Sequence, residues 1–415
     1  MNIILYKLGI YIYDILIRFA SPFNSKAKLL LNGRKRTLAE LKNTKPCKDK
    51  LYWFHVASLG EFEQGRPLIE KLKADKPEIK ILLTFFSPSG YEMRKNYELA
   101  DYVLYLPADT KRNAVKLIHS FKPSAAIFIK YEFWYYYLHE LYVSNIPTYL
   151  IAAKFLPNQV FFKSWGGFFR KMLNFFTHIY VQDEASYQLI ELLTKAKVYK
   201  SGDTRFDRVA QIAQSAKKLD IIENFCCDKP TMVCGSTWPA DEEKLFAFIN
   251  EYRGTYKWII APHEIGEGHI KSIESKCKKS YILYSKILSD GITDISSYDV
   301  LIIDIIGILS SVYRYANIAY IGGGFGVGIH NTLEAAVYGL PIVFGPNYKR
   351  FNEAAELIDS GAAKSIGSKE ELNLLLDSLV NNESLIKDMG SKAAEYVKSN
   401  LGATDLISKQ IYSNK

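Results

Sequence analysis

The sequence lacks several patterns that would each assign it to a common class of protein. Its five cysteines contain no Cys-x-x-Cys pair, which argues against a zinc site or a disulfide framework and fits a reducing cytoplasm. Neither a Gly-x-Gly-x-x-Gly fingerprint nor a Walker A motif is present, so the sequence does not support a Rossmann-type oxidoreductase. The cysteines are Cys47, Cys226, Cys227, Cys234 and Cys277.

The chain also lacks an uninterrupted apolar run near its beginning, although ten Ile, Leu or Phe side chains fall within residues 3–19. On an insertion scale the charges of Lys7, Asp14 and Arg18 cost roughly 8–10 kcal/mol, whereas the apolar residues return only about 3–6 kcal/mol. Because these charges recur at i, i+7 and i+11, they share one helix face. We therefore predict a membrane-associated amphipathic helix over residues 1–22 that lies in the membrane plane. The alternative is a first helix that packs on the core.

The composition is that of a folded, basic protein. Hydrophobic residues make up 48% and aromatic residues 14%, which excludes a largely disordered chain. The net charge of +9 indicates an anionic partner, but it does not distinguish nucleic acid, a membrane surface and a phosphorylated lipid. Basic residues that could hold anionic headgroups follow the first helix at Lys26, Lys28, Arg34, Lys35 and Arg36.

Apolar strands alternate with helical sequence in both halves of the chain. This alternation predicts an α/β protein with parallel sheets that are covered on both faces. Ligands bind at the carboxyl ends of such strands, where Ser58–Glu61, Ser87–Gly90 and Lys130–Glu132 are found. Strands are predicted over residues 51–57, 80–86, 102–105, 124–130, 147–152 and 178–181, and again over 231–237, 258–263, 280–284, 300–304, 318–321 and 341–344.

The length of 415 residues suits two domains of about 200 residues each. We predict an N-terminal domain over residues 23–212, a polar helical linker over 213–228 and a C-terminal domain over 229–415. The last helix either stays with the second domain or packs back on the first.

A glycine-rich stretch over residues 318–341 predicts a strand, a loop and a helix that starts near Asn331. Asn331 is a good N-cap and Glu334 follows three residues later, as in a capping box. Glycines and a helix start together suit a phosphate group. The alternative is a strand-to-helix turn that binds nothing. Glu334 either only caps the helix or accepts hydrogen bonds from the ribose of a nucleotide.

Seven short runs, in order along the chain, resemble one protein family. They are His55–Glu61, Thr84–Gly90, Glu132–Trp134, Gly202–Asp207, Gly235–Thr237, Asp304–Gly307 and Gly322–Glu334. The family is that of the 3-deoxy-D-manno-octulosonic acid (Kdo) transferases, which are glycosyltransferases of the GT-B architecture. The resemblance implies two Rossmann-like domains whose parallel sheets face an interdomain cleft.

The resemblance also implies the reaction and its partners. Family members transfer Kdo from CMP-Kdo to the lipid A precursor, lipid IVA, with inversion, during lipopolysaccharide biosynthesis. We therefore expect CMP-Kdo as the donor, an anionic lipid as the acceptor, and no nucleic-acid partner. The expected location is the cytoplasmic face of the inner membrane. No separate cofactor is implied, and because the chain has no Asp-x-Asp pair we expect no metal ion.

Family roles transfer to this sequence by position. Glu61 is implied as the catalytic base, and Glu132 and Arg205 as groups that stabilise the transition state. Arg205 stands where lysine is usual, His263 replaces an arginine, and Ile306 and Ile308 replace methionine and glutamate. The implied CMP-binding residues are Pro262, His263, Ile306, Gly307, Ile308, Asn331, Thr332, Leu333 and Glu334.

Other interpretations of these residues stay open. Glu61 could be a first-turn acid that complements the helix dipole, Arg205 a surface cation, and His55 a hydrogen-bonded core residue. The chain could also be another GT-B nucleotide-sugar transferase or a UDP-sugar epimerase. A third possibility, from a different class, is a non-catalytic protein that binds a membrane surface.

Overall fold

The chain folds into two compact units, which we describe separately. A computed structural model describes residues 2–44, 49–216 and 218–413, so Cys47 lies outside the described residues. The first unit contains the residues up to Arg208 together with those from Leu401 onward, and the second is Val209–Asn400.

The first unit is built on a parallel sheet of seven strands in the described part of the chain. Its strand order is β3-β2-β1-β4-β5-β6-β7. Every residue of β1 is buried because helices cover both faces of the sheet, which explains the apolar sequence of this strand. The strands are β1 (Leu51–Val56), β2 (Lys80–Phe85), β3 (Tyr102–Tyr105), β4 (Ala125–Ile129), β5 (Thr148–Ala153), β6 (His178–Val181) and β7 (Lys197–Lys200).

In the first unit α1 and α2 precede β1, and a helix follows each strand, as the alternation predicted. They are α1 (Ile3–Ala20), α2 (Ser25–Asn43), α3 (Leu59–Asp75), α4 (Pro88–Arg94), α5 (Lys111–Phe121), α6 (Tyr135–Val143), α7 (Gly167–Leu173), α8 (Glu184–Ile190) and α9 (Thr204–Ser215). Short 3-10 turns occupy Val160–Phe162 and Ser164–Gly166. Helix α9 continues from the first unit into the second.

Helix α1 has no fully buried residue. It begins at the Asn2 cap, whose side chain accepts hydrogen bonds from the backbone of Ile4 and Leu5. The Tyr6 hydroxyl donates to Asp109, so the helix is attached to the first unit. Among residues 2–44, 49–216 and 218–413, no helix combines the length and the apolar character needed to cross a membrane.

The second unit contains another parallel sheet, again of seven strands among the described residues. Its order is β10-β11-β9-β8-β12-β13-β14. The strands are β8 (Thr231–Thr237), β9 (Lys257–Pro262), β10 (Tyr281–Leu283), β11 (Val300–Ile302), β12 (Ile318–Ile321), β13 (Ile342–Phe344) and β14 (Ala363–Ser365). The prediction of an α/β protein with two parallel sheets is confirmed.

In the second unit α10 precedes the first strand, and the other helices lie between strands or follow the last one. They are α10 (Asp220–Cys226), α11 (Pro239–Glu251), α12 (Glu267–Lys276), α13 (Tyr284–Asp290), α14 (Leu309–Val312), α15 (Leu333–Ala336), α16 (Asn352–Asp359), α17 (Lys369–Val380) and α18 (Glu383–Ser399). A 3-10 turn occupies Tyr313–Tyr315. Helix α10 falls within the segment 213–228, and its Ile222 and Phe225 are buried.

The last helix, α19 (Ala403–Ser413), belongs to the first unit. Its Ile407 and Ile411 are buried in the same apolar cluster as residues of β1 and α3. The carboxylate of Asp207 accepts hydrogen bonds from the backbone of Gly402 and Thr404, both at 2.7 Å, and thereby holds the start of this helix.

Candidate active site

Glu61 lies in the first turn of α3, directly after β1. The Ser58 side chain caps this helix, with its hydroxyl 3.4 Å from the Glu61 backbone nitrogen. The Glu61 carboxylate turns back toward the strand end, where it accepts a hydrogen bond of 2.5 Å from the backbone of Ala57. The side chain is therefore fixed at the carboxyl end of a central strand.

The electrostatic surroundings of Glu61 suit a proton acceptor. Burial raises the pKa of its carboxyl above the ordinary value, and the nearby charge of Glu132 raises it further. The hydrogen bond from Ala57 and the electrostatic influence of His55 and Lys130 oppose this rise in pKa. A carboxylate whose pKa is moved toward neutrality is a better general base than an ordinary surface glutamate.

Glu132 follows β4, which lies next to β1 in the sheet. Its Oε2 atom accepts hydrogen bonds from Trp134 Nε1 at 2.7 Å and from His55 Nε2 at 2.9 Å. Glu132 is only 8% exposed, and His55 is fully buried. The interpretation of His55 as a hydrogen-bonded core residue is confirmed, but its contact with Glu132 was not anticipated.

Arg205 lies at the start of α9, also within the first unit. Its Nε and Nη2 atoms are 2.8 and 2.7 Å from Asp203 Oδ2, and its backbone N–H donates to Asp203 Oδ1. Because two N–H groups meet one carboxylate oxygen, the guanidinium has a defined orientation. The role of Arg205 in a transition state stays a prediction.

His263 follows β9 in the second unit and lies in a stack of three rings. The His263 ring centroid is 4.9 Å from that of Trp238 and 4.3 Å from that of His330. Trp238 Nε1 donates to His330 Nε2 at 3.0 Å, so the proton of a neutral His330 lies on Nδ1. Burial, with a contribution from His263, lowers the pKa of His330 to about 4. His330 is thus neutral at pH 7.

A helix starts near Asn331 as predicted, but the prediction of Asn331 as its N-cap is wrong by one residue. Helix α15 begins at Leu333, contains only four residues, and has Thr332 at its N-cap position without a side-chain capping bond. The Asn331 side chain instead accepts from the Leu333 backbone at 3.1 Å and donates to Glu334 Oε1 at 3.0 Å. The Asn331 side chain therefore accepts from the first backbone N–H group of the helix, although Asn331 lies one residue before the N-cap. Glu334 thus contacts the side chain of Asn331, three residues before it.

The glycine-rich loop after β12 is shaped by close backbone packing. A Cβ atom on Gly322 would lie 2.2 Å from the carbonyl oxygen of Ser236, and one on Gly324 would lie 2.5 Å from the backbone nitrogen of Gly345. These glycines are therefore required by the packing of the loop itself, whether or not a ligand binds there.

Asp241, in the first turn of α11, organises the same loop and was missed by the sequence reasoning. Its carboxylate accepts hydrogen bonds from the backbone N–H groups of Gly323 and Trp238 and from the Tyr320 hydroxyl, at 2.8 to 2.9 Å. Its position three residues after Trp238 was the available signal, since an acid at that spacing often closes a capping box.

The segment Ile306–Ile308 lies between β11 and α14. The Ile306 side chain is 83% exposed, and Gly307 has a φ of +99°, which favours glycine. Asp304, just before the segment, accepts from the backbone and hydroxyl of Ser285. A role for this segment in binding CMP stays a prediction.

The candidate residues thus form two groups, one in each unit. Glu61, Glu132 and Arg205 belong to the first unit, and the residues from Pro262 to Glu334 belong to the second. Within residues 2–44, 49–216 and 218–413, no cluster of three or more His, Cys, Asp or Glu side chains is arranged to hold a metal ion. Metal independence stays a prediction.

Comparison with known proteins shows what the chain is similar to. Residues 32–208 match the family model described as 3-Deoxy-D-manno-octulosonic-acid transferase (kdotransferase). The 3-deoxy-D-manno-octulosonic acid transferase of Rickettsia typhi is 28% identical over 362 residues, which cover 84% of this chain and 76% of the relative. The Aquifex aeolicus enzyme of the same name is 28% identical over 351 residues, covering 83% and 89%. Residues 32–208 thus match the Kdo transferase domain of this model, and relatives named as Kdo transferases align with most of the chain. On these matches the chain is a glycosyltransferase.

A comparison with solved structures identifies the fold. The crystal structure of UDP-GlcNAc 2-epimerase from Neisseria meningitidis bound to UDP-GlcNAc superimposes with a TM-score of 0.61 at 16% sequence identity. The match covers 88% of this chain and 100% of the epimerase. The two proteins share the GT-B fold, and at this identity the likeness says nothing about a shared reaction.

Proposed function

We propose that this protein transfers Kdo from CMP-Kdo to the lipid A precursor, lipid IVA, with inversion and without a metal ion. The proposal rests on the family and on one observation in the first unit. The Glu61 carboxylate is fixed at the end of β1, and burial together with the charge of Glu132 raises its pKa. A structural acid at a helix start does not need such a setting, whereas a general base benefits from it.

The proposed step transfers one group and one proton. The oxygen of the acceptor hydroxyl forms a bond to the anomeric carbon of Kdo while the bond from that carbon to the phosphate oxygen breaks. The acceptor proton goes to Glu61, and the bonding electrons leave with CMP. General base catalysis by a positioned carboxylate contributes about 10²–10⁴-fold to the rate of such a reaction.

Two further charges of the first unit have distinct roles in this proposal. Glu132 supplies fixed negative charge for the oxocarbenium-like centre, because its carboxylate is held by two N–H donors and does not reorient. Arg205 supplies positive charge for the departing phosphate, with its guanidinium oriented by Asp203.

The second unit is proposed to bind the donor nucleotide. The stack of Trp238, His263 and His330 presents ring faces and a neutral N–H at the ends of β8 and β9 and in the glycine-rich loop. Such groups suit a base or a sugar. Helix α15 is short, so the phosphate is proposed to bind mainly to backbone N–H groups and not to a helix dipole.

Helix α1 supports a site of action at the cytoplasmic face of the inner membrane. Its apolar side chains are exposed, with Ile4 at 70% and Phe19 at 75%, and Phe23 after the helix is 92% exposed. An exposed apolar helix followed by basic residues suits an interface with anionic lipid. The net charge of +9 is consistent with an anionic acceptor.

The reaction can be tested directly with the purified protein. It is incubated with CMP-Kdo and lipid IVA, and the lipid products are analysed by mass spectrometry. We expect a product heavier by one or more Kdo residues, with the same yield in EDTA. Absence of product with CMP-Kdo, together with turnover of a UDP-sugar, would assign the protein to another reaction. Loss of product in EDTA, with recovery on addition of a divalent cation, would contradict metal independence.

A further inference from the structure

His55 is a buried residue of β1 whose two ring nitrogens both have partners. Its Nε2 atom lies 2.9 Å from Glu132 Oε2, a residue 77 positions away in the sequence. Its Nδ1 atom lies 2.8 Å from Thr84 Oγ1 and 3.2 Å from the Thr84 carbonyl oxygen. The strand order explains these contacts, because Thr84 is the direct neighbour of His55 on β2 and Glu132 follows β4 on the other side.

The hydrogen bonds determine where the proton of His55 lies. A carboxylate oxygen only accepts, so the 2.9 Å hydrogen bond to Glu132 Oε2 places a proton on His55 Nε2. Trp134 Nε1 lies 3.1 Å from the same nitrogen and 2.7 Å from Glu132 Oε2, and its N–H then donates to the carboxylate. Thr84 Oγ1 accepts a hydrogen bond of 2.8 Å from Trp53 Nε1. Its own proton has two acceptors within reach, His55 Nδ1 at 2.8 Å and the Phe54 carbonyl oxygen at 3.4 Å, and the shorter contact is the stronger. The chain of donors runs from Trp53 through Thr84 and His55 to Glu132.

Trp134 provides the second donor to the same oxygen. Its Nε1 atom lies 2.7 Å from Glu132 Oε2, and its ring stacks on Phe86 with a centroid distance of 4.9 Å. Among the described residues, the hydrogen bonds to the Glu132 carboxylate all fall on Oε2. Oε1 is consequently the oxygen that remains for a substrate.

We propose that His55 is a positioning residue that fixes the Glu132 carboxylate, through the Nε2–H donor, so that Oε1 is presented to the reacting sugar. This inference rests on the proposed function, because it concerns the orientation of a group assigned to the transition state. His55 itself does not touch the substrate. Its donor holds Glu132 in one rotamer and keeps its charge in a constant position relative to Glu61.

Two substitutions, each with an amide side chain, test the roles of the two ring nitrogens of His55 separately. The amide nitrogen of glutamine reaches about as far as Nε2, and that of asparagine about as far as Nδ1. His55→Gln therefore keeps a donor for Glu132, whereas His55→Asn keeps only the contact with Thr84. We expect kcat to fall by about 10²-fold in His55→Asn and by less than about tenfold in His55→Gln, because small misplacements of a catalytic group have effects of this size. KM for CMP-Kdo should stay unchanged in both variants, since Glu132 acts on the transition state.

A matched control comes from the same sheet. His178 is a buried histidine of β6 that stacks on Tyr149 with a centroid distance of 5.4 Å, two strands away from β4 in the sheet. His178→Asn should lower the melting temperature without lowering kcat. This control separates a general effect of replacing a buried strand histidine from the loss of the donor.

The outcomes distinguish this inference from the proposed function. If the unmodified protein does not transfer Kdo, the proposed function fails. If it does transfer Kdo and both His55 variants have equal kcat, the positioning role is overturned. If His55→Asn does not fold, Trp134→Phe decides, because it removes the other Oε2 donor and keeps the ring that stacks on Phe86. A lowered kcat at unchanged KM supports the positioning of Glu132, and an unchanged kcat refutes it.

Discussion

The hydroxyl of Tyr6 lies 2.5 Å from Asp109 Oδ2, and this hydrogen bond connects the first helix to the loop after β3. Asp109 is only 2% exposed, and its carboxylate also accepts from the backbone of Tyr136 and Tyr137. The attachment of α1 therefore depends on a buried carboxylate whose other two donors are backbone N–H groups.

Replacing Tyr6 by phenylalanine should weaken the attachment of α1. The change leaves a buried carboxylate without one donor, which costs about 1–3 kcal/mol. Hydrogen–deuterium exchange should show faster exchange over residues 3–20, with little change in β1. Tyr11→Phe is the control, because Tyr11 is 49% exposed and on the same helix. Equal exchange in the two variants would contradict the role of the Tyr6–Asp109 bond.

Replacing Glu61 by glutamine should abolish most of the transfer activity and leave the fold intact. The amide cannot accept the acceptor proton, so the rate should fall by about 10²–10⁴-fold. The control is Glu63→Gln, on the same helix, whose carboxylate pairs with Arg94. If Glu61→Gln transfers Kdo at the rate of the unmodified protein, Glu61 is not the base.

Replacing Glu132 by glutamine should change the pH dependence of whatever activity remains. The charge of Glu132 raises the pKa of Glu61, so its removal lowers that pKa. The base is active only when ionised, and the acid limb of kcat/KM should therefore move to lower pH. Burial of Glu61 persists in the variant, so the shift is partial. An acid limb that stays in place, or moves to higher pH, would show that the two carboxylates are not coupled.

Replacing Gly324 by alanine should destabilise the second unit. The new Cβ would lie 2.5 Å from the Gly345 backbone nitrogen. The backbone must shift to relieve this clash, and the shift lowers the free energy of unfolding by about 1–3 kcal/mol. Gly326→Ala, in the same loop, is the control because its Cβ would meet only an ordinary contact of 3.8 Å. Calorimetry should show a lower melting temperature for the first variant alone.

Replacing His263 by alanine should weaken the binding of CMP. The residue lies between two rings, and loss of one aromatic contact costs about 0.5–1.5 kcal/mol, or up to roughly tenfold in Kd. Titration calorimetry with CMP alone measures this without an acceptor. His119→Ala, on an exposed histidine of the first unit, should bind CMP like the unmodified protein. Unchanged affinity in His263→Ala would exclude the ring stack from the nucleotide site.

The central strands could be predicted from the sequence because burial on both faces leaves an unbroken apolar run. Leu51–Val56 and Ile318–Ile321 are examples. The edge strands β7 and β14 were not predicted. Strand β7 has lysine at both ends and no fully buried residue, and β14 has only three residues, so neither produces an apolar signal.

In the candidate site, the sequence predicted the position of a residue where its own stretch of sequence determines that position, but it did not predict contacts between distant residues. Glu61 follows an apolar strand and opens a helix, and its position at the strand end was predicted from that order. The contact of His55 with Glu132 was not, because it depends on β4 lying beside β1 and not beside β3. The helix start at Asn331 was misplaced for a local reason, since an asparagine side chain can satisfy the first amide from outside the helix.

The return of α19 to the first unit has a consequence for biosynthesis. The ribosome must translate all of Val209–Asn400 before it makes the residues that fill the last part of the first apolar cluster. Until Ile407 and Ile411 emerge, the nascent first unit exposes the surface that they later cover, which a chaperone could recognise. Limited proteolysis at one peptide bond cannot release both units whole, because the polypeptide passes between them twice.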